Sequence, residues 1–266
     1  MEYFPVSERN LKIGQIIIHQ RHFTEINSTQ TWSKENVKLD SKNSNIWELI
    51  TADKQTAGIG THNRKWVSHV PGNVYASLTF QTEIPQYIMD KLSALAVLET
   101  LQKMIGNQEK IRLKWPNDVV IDGKKISGSM PEISNKDGHN ICTLGVGINV
   151  NLPKEILDSI KEQKATSMFV ETGKNYDEKE VIDCFLHIFI ELITNNYVQN
   201  PNSIFEKFNN NMTFIGESVK VHDDSQDCFI EGFMDGVTEE GILKLRVADG
   251  QIKYIKFGTL VKKDNK

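Results

Sequence analysis

The 266-residue chain is poor in cysteine and has no long apolar run. Cys142, Cys184 and Cys228 are odd in number, widely spaced and form no CxxC. That argues against a disulfide framework or a zinc cluster and for buried free thiols in a reducing compartment. No apolar stretch reaches the ~18 residues a membrane span needs. Met1 to Asn10 lacks a basic segment followed by an apolar one, so no signal peptide is expected. A basic excess is missing too: the net charge is -4 and the pI about 6.0, so no global positive field recruits nucleic acid. Internal repeats and low-complexity segments are absent. Together these absences predict a cytoplasmic protein with neither a nucleic-acid nor a membrane partner. What is present is ordinary: 39% hydrophobic and 25% charged residues, enough for a core that needs no staples, in one large domain with a small appendage or in two domains.

Patterning divides the chain near Asn209–Phe214. Before it, Lys12–Phe23, Trp47–Lys54, Asn73–Gln81, Ile111–Ile121, Lys125–Ile133 and Asn140–Val150 read as strands. In Asn73–Gln81, Val74, Ala76, Leu78 and Phe80 share one face. Ser28-Thr29 can begin a short helix. Gln86–Ile105 reads as a helix with an apolar stripe through Ile88, Leu92, Leu95 and Leu98, stopped by Gly106. Tyr176–Val198 reads as a second long helix, apolar nearly all round from Val181 to Ile193 and broken by Pro201. After the boundary, short strands (Ser218–Val221, Cys228–Met234, Gly241–Val247, Gln251–Phe257) alternate with turns, including Asp249-Gly250, and predict a small β-barrel.

Four segments carry possible chemistry. In Lys114-Trp115-Pro116-Asn117-Asp118, followed by Val119–Ile121 and Asp122-Gly123-Lys124-Lys125, the Asp-Gly pair predicts a two-residue hairpin turn. Such a turn pairs Ile121 with Lys124, Val120 with Lys125 and Asp118 with Ser127. It sets Asp118, Val120, Lys125 and Ser127 on one face. A lysine can neutralise phosphate oxygens, and an aspartate can hold magnesium or a ribose hydroxyl; the alternative is a solvated surface pair. Gln55–Trp66 contains Gly58-Ile59-Gly60 and Arg64. It lacks the third glycine of a dinucleotide fingerprint, and taken alone it is a plain loop. Gly145-Val146-Gly147-Ile148-Asn149 can bring an amide to a cleft, though such glycines more often serve packing or bulges. Ile26–Gln30 offers hydroxyls at a helix start, with a simple cap as the plainer reading.

In this order, the four segments resemble the biotin–protein ligase family. KWPND, with Lys125 seven residues after Asp118 and Gly128 three later, is the most specific part; GVGINV and Trp66 after a glycine–arginine loop agree with it. The resemblance runs from about Phe23 to the C-terminus. It implies an α+β fold: a mixed β-sheet flanked by helices, of class II synthetase-like type, over 1–212, and a small SH3-like β-barrel over 213–266. It implies ATP-dependent activation of biotin to biotinyl-AMP and transfer to a lysine of a biotin carboxyl carrier domain, with ATP, Mg2+ and biotin bound. By position, Ser28, Thr29, Gln30, Gln55, Ile59, Gly60, Thr61, Lys125 and Gly128 would surround biotin. Arg64, Trp66, Lys114, Asn117, Asp118 and Asn149 would surround the nucleotide, with Asp118 also toward magnesium. Lys125, Arg64 and Asp118 would be catalytic.

The chain departs from the family pattern in places. Where the family loop reads GRGRRGR, Ile59, Thr61 and His62 replace arginines and Asn63 a glycine; Gln30 replaces an asparagine; and Pro131, in the usual apolar run before Glu132, would interrupt a central strand or mark an edge or bulge. Each lost charge-assisted hydrogen bond would weaken adenylate retention by about 1–3 kcal/mol, so a leakier enzyme is expected. About 20 residues precede the resemblance, too few for a helix-turn-helix module, so no repressor role is expected. Rival readings are a lipoate or octanoate ligase-type acyltransferase, a non-catalytic biotin or biotinyl-AMP sensor, and an interaction module working through the barrel. A monomer and a homodimer are both compatible with the sequence.

Overall fold

The computed structural model describes residues 3–40, 43–61, 64–106, 109–161 and 163–262. The chain opens in a hairpin, β1 (Ser7–Ile13) against β2 (Ile16–Ile26). β2 crosses through α1 (Thr29–Asn36) to run parallel with β3 (Ile46–Gln55). β4 (Val74–Gln81) and α2 (Gln86–Ile105) follow, then β5 (Ile111–Lys114), β6 (Asp118–Ile121), β7 (Lys124–Lys136) and β8 (His139–Ile148). The eight strands lie in the order β1-β2-β3-β4-β8-β7-β6-β5, a mixed sheet with one parallel pair. Short helices α3 (Lys154–Asp158) and α4 (Met168–Thr172), which patterning did not reveal, precede α5 (Glu178–Glu191), a π-helical turn (Leu192–Tyr197) and α6 (Pro201–Asn210).

The two long helices exchange the roles expected of them. α2 is the one buried nearly all round: Met89, Lys91, Ala94, Ala96 and Val97 are enclosed along with the expected stripe. α5 is one-sided. It buries Val181, Ile182, Phe185, Leu186, Phe189 and Ile190, while Asp183, His187 and Glu191 recur every fourth residue on its outer face. Aromatic contacts fix α5 across the sheet: Trp47 stacks on Phe80 at 4.3 Å, and Phe189 meets their edges at 6.3 and 5.9 Å. The other face of the sheet carries a smaller apolar cluster of Phe23, Ile26, Ile50 and Ala52 beside Trp32 of α1.

Two expected strands are remade. Ile111–Ile121 is not one strand. Trp115-Pro116-Asn117 turns the chain back, so Lys114 faces Asp118 and Ile111 faces Ile121. Proline lacks the N–H a ladder needs, and the Trp115–Pro116 peptide is cis, as suits a tight turn. The next hairpin has the predicted turn, with Asp122 and Gly123 at φ 47° and 76°, and pairs Ile121 with Lys124 and Val120 with Lys125. The register then slips. Ile126 is a bulge sunk fully into the core, so Val119 faces Ser127 and Asp118 faces Gly128. Asp118 and Lys125 still share a face. Ser127 leaves it, and its hydroxyl donates to the Gly147 carbonyl at 2.6 Å.

Pro131 sits within β7 without breaking it. β6 covers β7 only as far as Gly128, so beyond that point the outer side of β7 has no strand beside it among the described residues. Gln86 of α2 takes the strand's place there: its amide donates to the Pro131 carbonyl and accepts from the Ile133 N–H at 3.0 Å.

The C-terminal sheet comprises β9 (Ser218–Asp223), β10 (Cys228–Val237), β11 (Leu243–Arg246), β12 (Ile252–Ile255) and β13 (Gly258–Lys262), antiparallel in the order β12-β11-β10-β9-β13. Val219, Val221, Met234, Leu243, Leu245, Ile255 and Leu260 fill its inner face, continuous with the main core. Among the described residues no β12–β13 pairing closes this sheet into the expected barrel.

Candidate active site

The site lies on the face of the large sheet that α1 covers. Ser28 caps α1, its hydroxyl accepting from the Thr31 N–H at 3.4 Å, so the cap reading of this residue holds. The cap sets Thr29 and Gln30 over the sheet. Gln55 Oε1 accepts from the Thr29 N–H at 2.8 Å and from its hydroxyl at 3.2 Å; the Ser77 hydroxyl lies 2.9 Å from Thr29 Oγ1 and 3.2 Å from Gln30 Oε1. These side chains are all buried and form a polar floor.

The glycines of Gly145-Val146-Gly147 make room for this floor and its wall. A Cβ on Gly145 would meet Gln30 Oε1 at 2.7 Å, and one on Gly147 would meet the Trp66 ring at 2.6 Å. Trp66 therefore lies flat on the sheet. Its indole N–H is buried and has no partner among the described residues, leaving a donor on the cleft wall. Gly58–Gly60 and Arg64–Trp66 run antiparallel to each other, with the Trp66 N–H donating to the Gly58 carbonyl and the Gly60 N–H to the Arg64 carbonyl. Gly58 is required there, because a Cβ would reach Ser68 Oγ at 2.3 Å. His62 and Asn63, two of the departures from the family loop, lie outside the described residues.

The hairpin brings the charges. Lys125 Nζ is 2.6 Å from Asp118 Oδ1 and 5.2 Å from the Trp66 ring centre. Both partners are more than four-fifths buried, so this is not the solvated surface pair that spacing alone allows. Gly128, opposite Asp118, lets the lysine cross it: a Cβ there would sit 3.3 Å from Nζ. Asn117 turns inward and donates to the Ser129 carbonyl at 2.5 Å. Burial lowers the Lys114 pKa; Asp118 partly reverses this, and Lys125 and Arg64 reinforce it. Three cations thus crowd one carboxylate, and the excess positive field suits an anion.

Two cavities meet at Trp66. The first holds Ser28, Thr29, Gln30, Gln55, Ile59, Asn117, Asp118 and Gly128 with the glycines of β8; the second holds Arg64, Asn149, Ile160, Gln163 and Ala165. Gly60, Thr61, Trp66 and Lys125 line both. Of the expected site residues, only Lys114 lines neither. Asn149 is anchored, its amide donating to the Thr166 carbonyl at 3.0 Å. Ser77, Ser129, Gln163 and Ala165 are additions. The alternation of β4 implied that Ser77 faces away from the core, whereas nothing in the sequence marked Gln163 or Ala165. A roomier cavity lies across the sheet, between β1–β3 and the start of α5, and contains none of the expected residues. The paired cavities are the candidate site, because a cation, its carboxylate and a buried donor converge there.

A mixed sheet with a lysine shared between two adjoining cavities can bring two ligands to one cation. The sequence model of the biotin/lipoate A/B protein ligase family matches residues 23–150. The chain is 32% identical over 256 residues to the bifunctional ligase/repressor BirA of Bacillus subtilis, covering 89% of this chain and 74% of that protein. It is 28% identical over 212 residues to the biotin–[acetyl-CoA-carboxylase] ligase of Paracoccus denitrificans, covering 76% and 85%. Biotin protein ligase from Aquifex aeolicus, solved with biotin and ATP, superposes with a TM-score of 0.75 at 29% identity over 92% of this chain and 98% of that one. The chain belongs to the biotin protein ligase family.

Proposed function

We propose that this chain activates biotin with ATP to form biotinyl-AMP and passes the biotin to a lysine of a biotin carboxyl carrier domain. The observation that carries this reading is the position of Lys125, which lines both cavities and is held by Asp118 at 2.6 Å. In the first cavity, Ser28, Thr29, Gln30 and Gln55 supply hydrogen-bonding groups for the ureido head, with Ile59, Gly60, Thr61 and Gly128 around the tail. In the second, Arg64, Trp66 and Asn149 receive the nucleotide, while Asn117 and Asp118 line the first cavity and reach the nucleotide's side of the site through Lys125, which Asp118 holds. Lys114 acts at longer range, through its charge. We place the domain boundary at 212/213 and the protein in the cytoplasm with its carrier.

A biotin carboxylate oxygen attacks the α-phosphorus, the bond to the β-phosphate oxygen breaks, and pyrophosphate leaves. Two anions must approach, and Lys125 and Arg64 offset the repulsion. Trp66 and the Gly58–Arg64 segment exclude water from the mixed anhydride. The unprotonated amine of the acceptor lysine then attacks the carbonyl, and AMP departs with the bonding pair. Among the described residues no three His, Cys, Asp or Glu converge as metal ligands, and Asp118 is the one carboxylate lining the two cavities. Magnesium would enter with the nucleotide, and Asp118 would be the residue to offer it a carboxylate oxygen.

The test is incubation with biotin, magnesium and α-phosphate-labelled ATP, with Lys125→Ala as control. Adenylate that appears only with Lys125 supports the ligase reading. Biotin binding without adenylate would favour the sensor reading, which Ile59 and Thr61 in place of arginines support.

A further inference from the structure

Lys91 lies in the middle of α2 with 3% of its surface exposed, a position where an apolar residue would serve packing. Its ammonium donates to the Pro116 carbonyl at 3.2 Å and sits 4.9 Å from the centre of the Phe208 ring of α6. Gly241, in the turn before β11, presses on the same side chain. A Cβ there would lie 2.7 Å from Lys91 Cε and 3.3 Å from Nζ. The adjoining Trp115 indole donates to the Gly241 carbonyl at 3.3 Å. Four elements therefore meet at one buried cation: α2, the Trp115-Pro116-Asn117 turn, α6 and the C-terminal sheet. The turn it holds is the one that delivers Asn117 and Asp118 to the paired cavities.

We propose that Lys91 is a positioning residue through which docking of the C-terminal sheet sets the Asn117–Asp118 end of the site. The proposal rests on the reading of that site given above. Lys91 touches no reacting atom. It acts by fixing the Pro116 carbonyl, and with it the direction in which the next two side chains leave the turn. The β8 glycines and the α1 floor, where biotin would bind, do not depend on it. Asn117 and Asp118 line the first cavity, and Asp118 holds the Lys125 that both cavities share, so the effect falls on the meeting of nucleotide and biotin carboxylate and not on the hold of the ureido head by the α1 floor.

The experiment compares the full-length wild type with Lys91→Met, which keeps the side chain's volume, and with Gly241→Ala. The latter crowds the ammonium from the C-terminal sheet and strains the left-handed turn at φ 73°, so its exchange and KM ratios are read and not its melting temperature. Hydrogen exchange at residues 115–118 is expected to quicken about tenfold in both variants, with β7–β8 unchanged. The KM for ATP is expected to rise about tenfold while biotin affinity stays within twofold. The melting temperature of Lys91→Met should stay close to that of the wild type, since relief of the buried ammonium offsets the loss of its pull on Asp90 and of its bond to the Pro116 carbonyl. A purely structural lysine would instead lower the melting temperature and leave the ratio of the two KM values unchanged. If the wild type makes no adenylate, the ligase reading fails, and the exchange pattern still decides the positioning claim. Unchanged exchange at 115–118 in both variants, or equal changes in both KM values, overturns it.

Discussion

Adding a single methyl group at Gly147 is expected to remove most of the adenylation activity while leaving the protein folded. Gly147 lies in β8 with an ordinary strand conformation, so alanine is not strained there, and within a strand alanine is favoured over glycine by about 0.5–1 kcal/mol. The added Cβ would be 2.6 Å from two Trp66 ring atoms and 2.8 Å from its Nε1. Ordinary contact is about 3.5–4.0 Å, so the ring must lift by about 1 Å. Trp66 is the partition between the two cavities, and Lys125 sits against it. A displacement of that size at a reacting centre costs on the order of 10²-fold in rate, or about 2.7 kcal/mol. The assay is labelled biotinyl-AMP formation under saturating substrates, with a melting curve on the same sample. Trp66→Phe in the Gly147→Ala background removes the clashing part of the ring and should restore part of the loss. A Gly147→Ala enzyme within threefold of wild type, with its melting point intact, would refute the claim that this glycine exists to seat the tryptophan.

Further predictions concern single groups. Thr61→Arg should slow release of biotinyl-AMP by about tenfold, the worth of one charge-assisted hydrogen bond; equal off-rates would sink the idea that the altered loop leaks. Ser28→Ala removes the α1 cap and should cost about 1 kcal/mol in urea denaturation, whereas Ser28→Asn should retain most of that stability. Folding lowers the Lys91 pKa from its ordinary 10.5, through burial. The unfolded chain therefore binds more protons above the folded-state value, and wild-type stability gains with rising pH. The wild type should gain stability on Lys91→Met as pH climbs from 7 toward 10, read as the difference between paired urea midpoints. A difference that stays flat or moves in favour of the variant would contradict the assignment.

Much of the fold was legible from residue spacing, because the patterns that reveal it are local. The Asp122-Gly123 turn and the end of α2 at Gly106 both follow from φ preferences one residue long. The bulge at Ile126 was not legible: alternation along Lys124–Ser127 cannot reveal that one residue is extra, and only core space for Ile126 decides it. The fold-back at Pro116 was missed for the opposite reason. Leu113 and Val119 both look like strand residues, and both are, in different strands. The role reversal of α2 and α5 reflects what surrounds each helix, which composition does not encode. In the site, Asp118 and Lys125 could be paired from turn arithmetic alone. Gly145 and Gly147 read as ordinary packing glycines, and that is what they are, except that the side chains packed against them are Gln30 and Trp66. Gln163 and Ala165 reach the second cavity because their segment hydrogen-bonds to Lys125, a contact between residues about 40 apart with no periodic trace.

The substitution of a side chain for a strand beside Pro131 bears on how the molecule behaves in a crowded solution. An open row of N–H and carbonyl groups is a template that another extended chain can copy, and growth by such copying is how sheets aggregate. Along β7 beyond Gly128, the row is interrupted where proline has no hydrogen to offer, and Gln86 already occupies the two groups that follow, the Pro131 carbonyl and the Ile133 N–H. A stray strand arriving there finds no two consecutive rungs to grip. The residue that breaks the family pattern thus makes this edge a poor seed, and replacing it with valine while truncating Gln86 to alanine would turn the same stretch into an adhesive one.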